Sequence, residues 1–387
     1  MSYNIDIHCH PTLKISLFNR TFWERHGTIS GWDPFEMQVD LPKMAEGNLK
    51  AILSAVYLPE RGLLEFCPVL RDTYPMIRFF WNGIDGRIEK NSYPSQPFDQ
   101  TMAVINLFEA NIQKARGKGF DVAVARSNGE LNERLTAGKT TVLHTVEGGH
   151  SLGRGLASVD DYIVNLHKLF KAGVCALTLG HFFPNDLVSP VMGLPPSMVQ
   201  MIGCTFKPDL GALLRPAGEA VVRRMLEIGM IVDLTHCTPA TRNQIYGINH
   251  GKRPLVISHV GVSGIFNAPM NASDADIDAI KACNGVIGII LLNYWLSGHD
   301  DKLLGFQPGL DSVVRSIQYI RQRTGTYDNI AIGSDFDGFT DPADDLQDSS
   351  KFIALRHRLE SSGISAADVD NIMRGNILRV LRNGWGL

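Results

Sequence analysis

The sequence has no basic excess: 37 Lys and Arg stand against 40 Asp and Glu, a formal net charge of −3. A nucleic-acid or anionic membrane surface asks for a basic stripe, so neither partner is expected. No apolar run approaches the roughly 20 residues needed to span a bilayer. A basic segment followed by an apolar one does not open the sequence, and NGWGL at its other end is no hydrophobic anchoring tail. Cysteine is scarce and scattered. Cys9, Cys67, Cys175, Cys204, Cys237 and Cys283 show no CxxC spacing, so they read as reduced thiols of a cytoplasmic protein and do not match a zinc knuckle. Internal repeats and low-complexity tracts are missing too.

What the sequence does have is alternation. Eight β-rich runs are predicted as strands: 5–10 (IDIHCH), 51–58, 140–147 (TTVLHTVE), 174–181, 230–236, 255–259, 285–293 and 329–335. Amphipathic stretches at 158–173, 216–229, 274–283 and 311–325 carry apolar residues at three- and four-residue spacing and are predicted helices. Nearly continuous apolar strands separated by helices imply a parallel sheet buried on both faces. Eight such units fit an α/β fold of the (β/α)8 TIM-barrel type, whose core needs about 250 residues. The 387 residues are read as one barrel domain, 1–387. Its surplus sits in insertions at 11–49, 59–139 and about 182–215. The Pro- and Gly-rich stretch 184–216 reads as a long loop, either covering the substrate or making a plain surface excursion.

The strand ends carry the chemistry. His8 and His10 end the first strand, Glu147 the third, His181 the fourth, His236 the fifth, His259 the sixth and Asp335 the eighth. Five of the twelve histidines thus fall at the C-terminal ends of strands, the face on which barrel enzymes place their active sites. Residues i and i+2 of a strand share a face, so His8 and His10 point inward and Cys9 outward. Imidazoles with a few carboxylates suit zinc, and this many donors exceed one tetrahedral set. Other signals have blander readings. His144, three residues before Glu147, faces the other side of its strand. Asp337 caps or turns a loop. His150 is at most support for the site, and Tyr294 and Trp295 either line the pocket or pack.

In ordered stretches across most of its length, the sequence resembles the membrane (renal) dipeptidases, a branch of the amidohydrolase-like barrels. The stretches are QVDLPKMAEG (38–47), HTVEGGHSLG (144–153), LTLGHFFPN (177–185), GEAVVRRMLEIGMIVDLTHCT (218–238), VISHVGVSGIFNAPMNASD (256–274), AIGSDFDGF (331–339) and NIMRGNILRVL (371–381). The resemblance implies a homodimeric zinc metallopeptidase acting on dipeptides. It implies two Zn2+ ions bridged by Glu147 and a water or hydroxide. His236 and His259 would hold one ion, and His8, His10 and Asp335 the other. Asp335 would take the proton of the attacking water, and His181 would donate to the substrate carbonyl rather than ligate.

Two positions depart from the family pattern. Where the family has H-x-D, this sequence has His8-Cys9-His10. A neutral imidazole in place of a carboxylate leaves the two-ion site with one more positive charge, which acidifies its water further. Where the family has an arginine that receives the dipeptide carboxylate, this sequence has Met270, followed by Asn271. A thioether cannot make the charge-assisted bond of a guanidinium. Either another cation, such as Arg154, Lys252 or Arg253, has taken over that role or the substrate has no carboxylate there, with Met270 and Asn271 candidate contacts to it; simple L-dipeptides are expected to be poor substrates. Two alternatives stand beside a dipeptidase. One is an amidohydrolase of N-acyl amino acids, lactones or phosphoesters; the other is a non-catalytic metal-binding homologue.

Overall fold

Strands of this chain are buried on both faces, which is what their near-continuous apolar runs require. The computed structural model describes residues 2–27, 35–73, 97–298, 309–339 and 341–386. Its strands are β1 (Asn4–Cys9), β2 (Leu49–Tyr57), β3 (Val122–Val124), β4 (Thr140–Glu147), β5 (Val174–Thr178), β6 (Ile231–Asp233), β7 (Val256–Val260), β8 (Val286–Ile289) and β9 (Ile330–Ile332). All pairings between them are parallel, in the order β1-β2-β4-β5-β6-β7-β8-β9. Past its last strand the sheet returns to its first. Asp335 N donates to His8 O at 2.9 Å and His10 N to Phe336 O at 2.7 Å. The expected eight-stranded barrel is therefore present and nearly closed. The ninth strand, β3, pairs with the first residues of β4 outside that circuit; three residues are too short for a period to show.

Two apolar layers hold the barrel. Ile5, Ile7, Leu53, Leu143, Val256 and Ala331 pack as one cluster inside it. Ile52, Val146, Leu177, Ile257 and Ile332 pack outward with the helices. The predicted helices form at Val159–Lys171, Pro216–Ile228, Asp274–Ala282 and Leu310–Thr324. Ser158 and Asp161 close the first with a reciprocal capping box, as do Ser273 and Asp276 for the third. Among the described residues, no helix is long and apolar enough to cross a membrane.

The insertions carry structure of their own. Residues 28–34 of the first and 74–96 of the second lie outside the described residues. Helix Pro11–Phe18 follows β1 directly, and Gly62–Phe66 and Pro97–Gly117 follow β2. The 184–216 segment holds one short helix, Pro196–Met201. One cysteine expectation fails here. Cys67 and Cys204 are joined by a disulfide, whereas Cys9, Cys175, Cys237 and Cys283 are buried free thiols. The bonded pair lies 137 residues apart in sequence, so no spacing rule reveals it. The disulfide fastens the 184–216 segment to the loop after β2. Thr205 N donating to Phe66 O at 2.8 Å supports the same junction.

Candidate metal centre

Each predicted ligand arrives from a strand end. In β1 a register shift between Asp6 and Cys9 changes the phase of the strand. Ile5 and Ile7 fill the barrel interior, Cys9 joins the outer layer, and His8 and His10 still turn inward. Glu147 is the last residue of β4 and His259 lies within β7. His236 and Asp335 sit just past β6 and β9 with φ of 65° and 61°. That left-handed backbone costs an ordinary residue on the order of 1–3 kcal/mol and collects at functional sites.

The side chains meet in two facing pairs. His8 Nε2 lies 3.0 Å from His10 Nε2, and His259 Nε2 lies 3.2 Å from His236 Nε2. Glu147 joins the pairs. Its Oε1 is 3.4 Å from His8, 3.3 Å from His236 and 3.4 Å from His259. Its Oε2 is 3.3 Å from His10. Asp335 Oδ1 stands 3.2 Å from His10 Nε2 and 3.8 Å from His8 Nε2. Glu147 Oε1 is buried without a hydrogen-bond partner, an arrangement that costs about 1–3 kcal/mol unless something else satisfies it. A metal would. Bonds of about 2.0 Å to tetrahedral zinc put neighbouring ligand atoms about 3.3 Å apart, close to the spacings seen here. The residues present therefore fit a metal, and the imidazole–carboxylate donor set suits zinc.

Electrostatics follow from that crowding. Burial pushes the Glu147 carboxyl up, but the imidazoles of His181, His8 and His10 outweigh it and hold it well below the usual range. His8 is pulled down by burial and pushed further up by Glu147 and Asp335, reaching about 9. Burial keeps His236 low and His259 lower still.

His181 stands slightly apart. Its Nε2 is 3.6 Å from Glu147 Oε2, while its Nδ1 is held at 2.7 Å by Glu60 Oε2. Glu60 also accepts the backbone N–H groups of Phe182 and Phe183 at 3.1 and 3.0 Å. Burial lowers the His181 pKa, yet Glu147 and Glu60 raise it on balance. Sequence reasoning missed Glu60. Its one signal is a lone acid three residues past the end of β2.

Above the cluster lies a cavity of about 240 Å³ whose floor includes His10, Glu147, His181, His236 and Asp335. Its walls are mainly apolar: Leu13, Leu63, Phe182, Met198, Ile202 and Phe339 among others. Tyr294 and Trp295 line it as well. Trp295 stacks on His259 at 5.9 Å and donates its indole N–H to Gly193 O at 2.9 Å. A Cβ at position 193 would come within 2.6 Å of that indole, so the covering segment needs glycine there.

Met270 and Asn271 are not brought to the cavity. Met270 is buried in the outer core. Asn271 ties loops together, accepting from Gly261 N and donating to the carbonyls of Phe266 and Trp295. His144 turns outward to Glu109 at 3.1 Å, as its strand position implies. His150 binds Leu58 O at 2.8 Å. Asp337 accepts the N–H groups of Gln38 and Val39.

The chain is similar to known proteins across nearly its whole length. Residues 3–384 match the family model described as membrane dipeptidase (peptidase family M19). The dipeptidase verJ of Clonostachys rogersoniana is 28% identical over 364 residues, covering 91% of this chain and 80% of that protein. The dipeptidase aclJ of Aspergillus oryzae is 26% identical over 374 residues, covering 95% and 75%. A metallopeptidase from Rhodobacter sphaeroides, solved with a phosphinate mimic of the dipeptide L-Ala-D-Ala, shares the fold. Its TM-score is 0.73 at 19% identity, with 99% of each chain covered. With the motif order, the barrel and a match across nearly its whole length, the chain belongs to the membrane dipeptidase family, peptidase family M19.

Proposed function

We propose that the chain is a two-zinc hydrolase that cleaves a dipeptide, or a closely related small amide, bearing an apolar side chain. The observation that carries the metal reading is the partnerless Glu147 Oε1 set among three imidazole nitrogens. His236 and His259 would hold one ion and His8, His10 and Asp335 the other, with Glu147 placed between the two sets. Such ions, when bound, bring the ionisation of water toward neutral pH and polarise a carbonyl.

The chain's own residues supply the rest. The Asp335 carboxylate, beside His10 at the cavity floor, takes the proton of the attacking water. His181 has its Nδ1 committed to Glu60, so its Nε2 faces the cavity. Both neighbouring carboxylates favour a proton there, and that N–H donates to the carbonyl oxygen as charge builds on it. Removing such a donor elsewhere costs about 3–4 kcal/mol.

The walls indicate the substrate. Leu63, Phe182, Met198 and Ile202 offer an apolar seat, and the charged residues among the described lining are Glu147, Asp335 and Asp341. An apolar side chain suits that seat, while Glu147 and Asp335 are committed to the metal ions. The related R. sphaeroides protein is solved with a dipeptide mimic, which makes dipeptides the first class to assay.

The test combines metal analysis with a panel of dipeptides, dipeptide amides and small esters, using wild type and Asp335→Asn. Two equivalents of zinc and a loss of at least about 100-fold in kcat for Asp335→Asn are expected. Protein that holds no zinc and gains no activity on zinc addition would overturn the reading, as would turnover that survives the substitution.

A further inference from the structure

Beneath the metal ligands lies a polar layer that the hydrolytic reading leaves unused. Ser258 precedes His259 on β7. Its Oγ lies 2.5 Å from Asp233 Oδ2, 2.9 Å from His259 Nδ1 and 3.3 Å from His8 Nδ1. It is also 3.2 Å from Thr235 Oγ1. In the proposed two-zinc assignment the two imidazoles serve different ions, His8 beside His10 and His259 beside His236, although His8, Glu147 and His259 also lie close enough to share one.

A count of protons fixes the roles. Asp233 Oδ1 takes the N–H groups of Thr235 and Ser258 at 3.1 Å each, and the Thr235 hydroxyl at 2.8 Å. Asp233 Oδ2 takes the Thr178 hydroxyl at 2.7 Å and the Ser258 hydroxyl. Every one of these neighbours is a donor, so the carboxylate accepts throughout. A hydroxyl has one proton and two acceptor lone pairs. Ser258 spends its proton on Asp233, the shortest of its contacts. Its lone pairs are then left for His259 and His8, and both rings must carry a proton on Nδ1 to reach them. Nε2 is thereby the nitrogen each ring offers to a metal, which takes it in unprotonated form. His10 and His236 have no such support, because their Nδ1 atoms are buried without partners.

We propose that Ser258, oriented by Asp233, is a positioning residue common to both metal positions: one hydroxyl sets the ring tautomer of one ligand in each. The two metal positions would thereby be linked beneath the site as well as through Glu147 above. This inference rests on the two-zinc reading and adds that both affinities depend on a single serine.

The experiment is chelator competition on the purified full chain, giving stepwise zinc dissociation constants for wild type, Ser258→Ala and Asp233→Asn. Circular dichroism and thermal melting accompany each to confirm folding. Ser258→Ala should weaken both steps together, by on the order of 10–100-fold each. Asp233→Asn keeps the size of the side chain but places an amide donor against Ser258 Oγ. It should weaken binding in the same direction, and it replaces the serine variant if that one fails to fold. Constants within threefold of wild type, or weakening confined to one equivalent, would overturn the proposal while leaving the two-zinc reading intact. Wild type that binds no zinc would instead overturn that reading, and this inference with it.

Discussion

Glu60 and His181 form a buried carboxylate–imidazole pair at 2.7 Å, shorter than any contact His181 makes to the metal cluster. The same carboxylate pins the backbone of Phe182 and Phe183. Glu60 thus fixes both the ring and the loop that carries it. In Glu60→Gln, which keeps the shape, kcat/KM should fall by on the order of 10–100-fold, mostly in kcat, while bound zinc stays constant. Steady-state kinetics with metal analysis on the same sample checks this. Unchanged kcat would show that the pair is structural only.

Zinc uptake should release protons. Glu147 and Asp335 together outweigh the burial of His8 and push the ring up to about 9, so it is protonated at pH 7 in metal-free protein, whereas a metal takes only the free ring. Apparent zinc affinity should therefore rise with pH up to about 9. For the metal-free fold the sign is opposite. A raised imidazole contributes stability in full below its ordinary 6.5 and loses it as pH climbs through about 9. Dye-monitored titration in weak buffer should record at least one proton released per chain, and a release of none would refute the assignment.

Reducing the Cys67–Cys204 bond should loosen the cover of the cavity, because Met198 and Ile202 line that cavity and lie within a few residues of Cys204. Cys67→Ser with Cys204→Ser should cost about 2–4 kcal/mol, expose the 184–216 segment to limited proteolysis and raise KM more than it lowers kcat. Urea melts, digestion and kinetics read the three effects. Disulfides of this kind form and persist in oxidising compartments, so the bond removes the ground on which reduced cysteines suggested a cytoplasmic location.

Arg242 is buried and bound to Asp276 at 2.9 Å, and its guanidinium also donates to the carbonyls of Pro269 and Asn271. It holds the loop that carries Met270. Arg242→Met leaves the buried Asp276 carboxylate without its cationic partner, with only Tyr246 and Ser273 donating to it, and should cost about 3–5 kcal/mol. Adding Asp276→Asn should recover part of that loss in denaturant melts. A cost below about 1 kcal/mol for the single variant would contradict the role assigned to the pair.

The parts of this molecule that were legible in the sequence are those governed by period. The strands of the barrel announce themselves as short apolar runs, and the ligands as polar residues that end them. TTVLHTVE becomes β4 with its predicted bounds, and alternation alone separates His144 from Glu147. Contacts that depend on distant loops left no such trace. Glu60 meets His181 across 121 residues, and Cys67 meets Cys204 across 137. Met270 was conspicuous for the residue it replaces, but its burial in the outer core follows from loop packing that Arg242 organises. The Ser258–Asp233 layer was hidden for a different reason. A serine before a histidine is unremarkable until the strand beside it supplies the carboxylate.

The barrel closes where β1 meets the residues after β9, through Asp335 N on His8 O and His10 N on Phe336 O. Those hydrogen bonds join the residues assigned to one ion, His8 and His10 from one end of the sheet and Asp335 from the other. On the proposed assignment that ion would act as a clasp. A nascent chain carries His8 and His10 from the outset but lacks a full ligand set until residue 335 has been made and the sheet has come round. Tight zinc binding would then report that the barrel is complete, and chains interrupted before β9 would bear an open seam that metal could not seal.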